Sequence, residues 1–149
     1  MKIKSITIVH KIDVNPDLSY LGRYTDTYTR GCIDREAIGS MRINEYRYFK
    51  PEDDHWRMGA YRRYEDYCKN KWFMMLIGTE AVCEIKVGNK WIEHKEQCFT
   101  GGIESDSGEE FIEETEKVQL HELRFELSEL GFSSDELDEA FKHVERKEL

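Results

Sequence analysis

A Gly88-Asn89 dipeptide stands between two long runs rich in apolar and β-branched residues, Trp72 to Val87 and Lys90 to Phe99, and it constrains the chain more than any other feature. Gly-Asn supplies a two-residue hairpin turn, so the two runs are expected to fold back on each other as antiparallel strands. Taken literally, the turn pairs Ile85 with Ile92 and Cys83 with His94, and it sets Trp91 beside Lys86 on the opposite face. A further strand is expected over Lys2 to His10, where β-branched residues nearly alternate with polar ones. Asn15-Pro16-Asp17 breaks the chain after it, since proline fixes φ and removes a donor while Asn and Asp bond their own backbone. The stretch from Ser19 to Cys32 reads as extended structure or an ordered loop, and Tyr46-Arg47-Tyr48-Phe49 as a weak strand closed by Pro51.

Three helical segments are expected among these strands. Asp53 or Asp54 caps the first, over about 53 to 70, with Trp56, Ala60, Tyr64, Tyr67 and Cys68 on one apolar face. After Gly101-Gly102, the spacing of Ser107 and Glu110 predicts a capping box, and Glu109, Glu110, Glu113 and Glu114 load the next turns with charge that the helix dipole favours. The core stripe of this second helix is expected to be Phe111, Val118, Leu120, Leu123, Leu127 and Leu130, with Gly131 as a left-handed cap. A third helix restarts at Ser133 or Ser134, with Leu137, Ala140, Phe141 and Val144 at helical spacing. The chain shows no repeat and no linker. The expectation is a single α+β domain over residues 1–149, an antiparallel sheet covered by one central helix and a C-terminal helical hairpin.

Whole-chain properties bound the function. With 149 residues the chain is long enough to bury a core without disulfides or a structural metal. Its 36% of charged residues exceeds the usual content of about 25%, so the surface is heavily ionised. The N-terminus lacks the continuous apolar core of a signal peptide, and no apolar run is long enough to cross a bilayer, which leads us to expect a cytoplasmic protein. Cys32, Cys68, Cys83 and Cys98 form no CxxC pair, and reduced, mostly buried thiols are expected. Charge is uneven: residues 1–75 hold 14 Lys and Arg against 11 Asp and Glu, and residues 76–149 hold 8 against 20.

The motifs of common chemistries are missing from the sequence. His10, His55, His94 and His121 coexist with the cysteines, yet no two of these residues have a metal-ligand spacing, so neither metal nor cofactor is implied. The segment Glu104 to Glu109 fails the calcium-loop register, because counting back from Gly108 puts Ile103, Ser105 and Ser107 at ligand positions. Neither a nucleophile elbow nor a phosphate-binding loop occurs. Arg57, Arg62 and Arg63 interleaved with Tyr61 and Tyr64 offer one argument for nucleic-acid binding, but the net charge of −9 opposes it.

One resemblance rests on Gly101-Gly102-Ile103-Glu104-Ser105-Asp106-Ser107, the acidic helix after it, and its stripe ending at Leu130-Gly131-Phe132. Leu21-Gly22-x-Tyr24, Cys32-Ile33-Asp34-Arg35, Tyr46-Arg47-Tyr48-Phe49 and the run Trp72 to Glu84 add to it. In these features the chain resembles a widespread family of small phage and mobile-element proteins with a GGxxGIESDS-like segment before a Glu-rich helix, although its Gly101-Gly102-Ile103 spacing is more compact. The family brings no activity with it, so the resemblance implies a context and not a reaction. The expected function is non-catalytic: inhibition or modulation of a host protein, such as a defence nuclease, through an acidic face of Glu109, Glu113, Glu116, Glu122 and Glu126. The alternative is a small-molecule or nucleotide binder, or a small enzyme, using Arg23, Tyr24, Arg30, Arg57, Arg62 and Arg63.

Overall fold

The computed structural model describes residues 1–42 and 45–149. In chain order its elements are β1 (Lys2–Ile12), β2 (Gly22–Thr25), β3 (Ile33–Asp34), β4 (Tyr48–Pro51), a 3₁₀ turn over Asp54–Trp56, α1 (Arg57–Cys68), β5 (Met74–Val87), β6 (Lys90–Glu104), α2 (Glu109–Glu129), α3 (Ser134–Ala140) and β7 (Val144–Lys147). This is the expected α+β content. The contacts divide the chain into two compact units: Met1–Val14 with Met74–Leu149, and Asn15–Phe73, which is inserted between β1 and β5.

The first unit is a four-stranded sheet in the order β6-β5-β1-β7. The hairpin forms in the expected register, with Ile85 opposite Ile92, Cys83 opposite His94 and Lys86 opposite Trp91. Gly88 takes φ +62, the left-handed conformation that such a turn demands. β6 runs past Phe99 and through Gly101-Gly102 to Glu104, longer than the sequence indicates. β1 pairs antiparallel with β5 along its length, and Asp13 N donates to Met74 O at 2.9 Å where the inserted unit leaves and returns. Alternation along β1 turns Ile6 toward the helices, where Ala81, Cys83, Leu123, Leu127, Phe132 and Leu137 close a core around it.

The C-terminal segment departs from expectation. Helix α3 stops at Ala140, and Val144 belongs to β7, which pairs parallel with β1 from Ile6 to Val9. A free edge on β1 offers backbone hydrogen bonds that a short extra helical turn could not match, and Val144 still packs on the core from the strand. The capping box also lies elsewhere. Ser107 donates its hydroxyl to the Glu104 carbonyl at 2.6 Å and Gly108 occupies the N-cap of α2, whereas Ser133 and Glu136 form the reciprocal pair at the start of α3. Gly131 takes φ +108 after α2, the expected stop.

Gly78 lies in β5 beneath the Phe99 ring. A Cβ there would overlap Phe99 Cδ1 and stand 2.5 Å from the Cys98 carbonyl oxygen. Gly78→Ala is therefore expected to cost about 1–3 kcal/mol through overpacking, read as a lower urea midpoint with an unchanged slope.

The second unit holds a three-stranded antiparallel sheet in the order β2-β4-β3, packed by α1. The first helix is thus confirmed in outline, with the Asp53 carboxylate accepting from His55 N as a cap, but its opening turn is 3₁₀. Its inward residues are Ala60 and Tyr61, with Tyr64 partly covered, whereas Trp56 and Cys68 are exposed. Tyr61 replaces them because Phe49, fully buried in β4, needs large partners on so small a sheet. The rings of Tyr24, Tyr61 and Tyr64 surround Phe49 at 5.3 to 5.5 Å, tilted or edge-on, each such pair adding about 0.5–1.5 kcal/mol.

Candidate functional site

The sheet-facing side of α2 is only half apolar. Its buried residues are Glu116, Gln119, Leu123 and Leu127. Leu123 and Leu127 meet the core below Ile6, and one turn further the Thr79 hydroxyl donates to the Gln119 carbonyl at 3.0 Å. Gln119 Oε1 is buried without a hydrogen-bond partner among the described residues. At the end of the seam, Glu116 is 2% exposed and carries a charge that needs compensation. Arg146 from β7 supplies it through a bidentate contact, Nη1 to Oε2 at 2.9 Å and Nη2 to Oε1 at 3.0 Å. His10 from β1 adds a 2.6 Å bond from Nε2 to Oε2. Burial pushes the Glu116 carboxyl up, but the Arg146 and His10 contacts outweigh it and hold the group below its ordinary value. An ionised carboxylate only accepts, so Nε2 is the donor in the His10 contact. His10, Glu116 and Glu148 also present ligand atoms within 4.8 Å of one another. The guanidinium of Arg146 is bonded to both carboxylates, so the positive charge at that point is an arginine's.

Of the five carboxylates expected on one outer face, four are exposed: Glu109, Glu113, Glu122 and Glu126. None of these four has an ion-pair partner among the described residues. Glu116 is a correction, since it points into the unit and is neutralised there. The core stripe is corrected with it. Phe111 and Val118 are 52% exposed and Leu130 37%, because the helix is turned to bring Glu116 and Gln119, together with Leu123 and Leu127, onto the sheet. Phe125 is outward as well, at 59%.

The Arg/Tyr-rich set lies in the second unit but does not converge. Arg57 is spent on carbonyls, with Nε donating to Gly31 O at 2.9 Å and Nη2 to Cys32 O at 3.2 Å. Arg63 stacks on the Trp72 ring at 3.8 Å. Arg23, Arg30 and Arg62 are exposed on separate segments. Tyr24 lines a cavity of about 270 Å³ together with Arg35, Glu45, Tyr46, Glu65 and Cys68, and Arg35 is a residue to which the sequence motifs assign no chemistry. Arg35 is 4% exposed and donates to Tyr61 Oη, the Tyr46 carbonyl, Glu45 and Glu65. Its guanidinium lies 4.7 Å from the Tyr24 ring centroid, and Tyr24 Oη donates to Glu65 at 2.6 Å. A second cavity, of about 410 Å³, shares Arg35, Glu45, Glu65 and Cys68 with the one that Tyr24 lines and adds Ser40 and Arg42, among others. Burial first, then the bond to Glu65, hold the Tyr24 phenol well above its ordinary value, and burial pushes the Cys68 thiol up. Neither group is a ready nucleophile at neutral pH.

The chain offers no local signal for either cluster, because the partners of Arg35 lie 10 to 30 residues away and those of Glu116 lie 30 and 106 away. Among the described residues, no helix is long and apolar enough to cross a membrane. Comparison with protein-family models, with curated proteins and with solved structures finds no significant match.

Proposed function

We propose that the protein is a non-catalytic binding protein whose acidic first unit engages a cationic partner. The carrying observation is that Glu109, Glu113, Glu122 and Glu126 on α2 are exposed and have no ion-pair partner among the described residues. The charge of the two units agrees with it: residues 1–14 and 74–149 hold 21 acids against 11 Lys and Arg, and residues 15–73 hold 10 against 11. The anionic excess noted along the chain therefore belongs to one compact body, where it steers association. A host nuclease with a basic cleft is the partner class to which the mobile-element resemblance leads. A nucleotide site in the Arg/Tyr-rich region is the lesser reading, since four of the five N–H donors of Arg35 are taken and two carboxylates face it.

The test is binding to candidate host nucleases across a salt titration. The association rate is expected to fall about tenfold or more as salt is raised. Affinity and rate that ignore salt would remove the electrostatic mechanism.

A further inference from the structure

We propose that the outward face of α2 is a docking seam for a cationic amphipathic helix of the partner, an inference that rests on the acidic-surface reading and adds an apolar ridge to it. Phe111, Val118 and Phe125 are each more than half exposed and follow one another at intervals of seven residues. Two helical turns bring a residue back to nearly the same azimuth, so these three side chains form one line of about 21 Å along the helix. The line lies opposite the buried residues Glu116, Gln119, Leu123 and Leu127. Single exposed apolar residues are ordinary on a protein surface, but three in register on one helix make a continuous ridge.

The surroundings of the ridge specify what covers it. Helical spacing places Glu122, Glu126 and Glu129 along one flank and Glu110 and Glu114 along the other. Among the described residues, Glu114 alone of these five has an ion-pair partner, Lys117 at 3.3 Å. A second copy laid on the ridge would bring carboxylates against carboxylates, and an anionic membrane or nucleic acid would meet the same repulsion. A helix with an apolar stripe and Lys or Arg beside it satisfies both features, its stripe on the ridge and its cations on the flanks. Beside Phe111 a recess of about 490 Å³, walled by Glu109, Glu110 and Glu114, accepts a long cationic side chain at the end of the seam.

Two synthetic peptides of identical composition and charge test the seam on the full-length protein by calorimetry: an amphipathic Leu/Lys helix, and an isomer in which the leucines are scattered around the helix. The wild type is expected to bind the amphipathic peptide at least about tenfold more tightly than the isomer, a difference of about 1.4 kcal/mol. The F111S/F125S variant is expected to keep its fold, since both rings are half exposed, and to bind the two peptides alike. Equal binding of both peptides by the wild type overturns the seam and leaves the acidic-surface reading standing, whereas binding of neither at low salt overturns both. Self-association of the wild type that F111S/F125S abolishes would make a second copy the occupant, and that too overturns the proposal.

Discussion

Arg35→Ala is expected to cost the Asn15–Phe73 unit about 3–5 kcal/mol, a large part of the stability available to so small a body. The guanidinium is nearly fully buried and satisfies four acceptors at once, two of them carboxylates. Removing it leaves the Glu65 carboxylate, whose side chain is only 18% exposed, facing Tyr24 and a hole where its cation stood. Arg35→Lys is expected to recover little, since an ammonium is a single point of charge and cannot span Tyr61, the Tyr46 carbonyl and both acids. Trp72, buried in the same unit, provides a fluorescence readout of urea unfolding, whereas Trp91 belongs to the other unit. Arg35→Met with Glu65→Gln removes both charges together and is expected to lose less than Arg35→Ala alone, as a buried pair requires. A loss below about 1 kcal/mol for Arg35→Ala would show that the cluster behaves as a hydrated surface pair.

The parts of this fold that could be read from the sequence are those fixed by neighbours in the chain. The 88–89 turn and its register depend on two residues and the strand period, and they were right to the residue. The stop at Gly131 and the break after β1 are equally local. The misplaced core stripe of α2 has a long-range cause, an ion pair that overrides the local pattern. Apolar periodicity alone favours Phe111 and Val118 as core, but Arg146 and His10 wait on the sheet for a carboxylate and draw Glu116 inward instead. Once Glu116, Leu123 and Leu127 share the buried face, residues 111, 118 and 125 must face the other way. The expected acidic face loses Glu116 in the same step, and helical spacing sets Glu109 and Glu113 on a different side of α2 from Glu122 and Glu126. Val144 follows similar logic. Its helical spacing was real, and the open edge of β1 still took it as a strand.

Arg146→Ala is expected to destabilise the first unit by about 3–5 kcal/mol at neutral pH, because it removes a bidentate cation from a carboxylate that is almost completely buried. Glu116→Gln removes the charge instead and leaves an arginine that is half exposed and free to hydrate, so its cost is expected to be smaller, about 1–3 kcal/mol. The pH dependence distinguishes this pair from ordinary packing. The folded-state pKa of Glu116 is held below its ordinary 4.5, so the wild type binds fewer protons there than the unfolded chain. The stability this contributes is fully present above about pH 4.5 and is lost as pH falls through the lowered value. Groups facing the carboxylate are His10 from β1 and Arg146 from β7, with Glu148 beyond Arg146. Urea midpoints measured between pH 7 and pH 3 are therefore expected to converge for wild type, Glu116→Gln and Arg146→Ala toward the acid end, while the gap caused by Gly78→Ala stays constant. A gap between wild type and Arg146→Ala that does not narrow on acidification would mean that Arg146 acts by packing its stem against the sheet, and that the turn of α2 away from its apolar stripe has another cause.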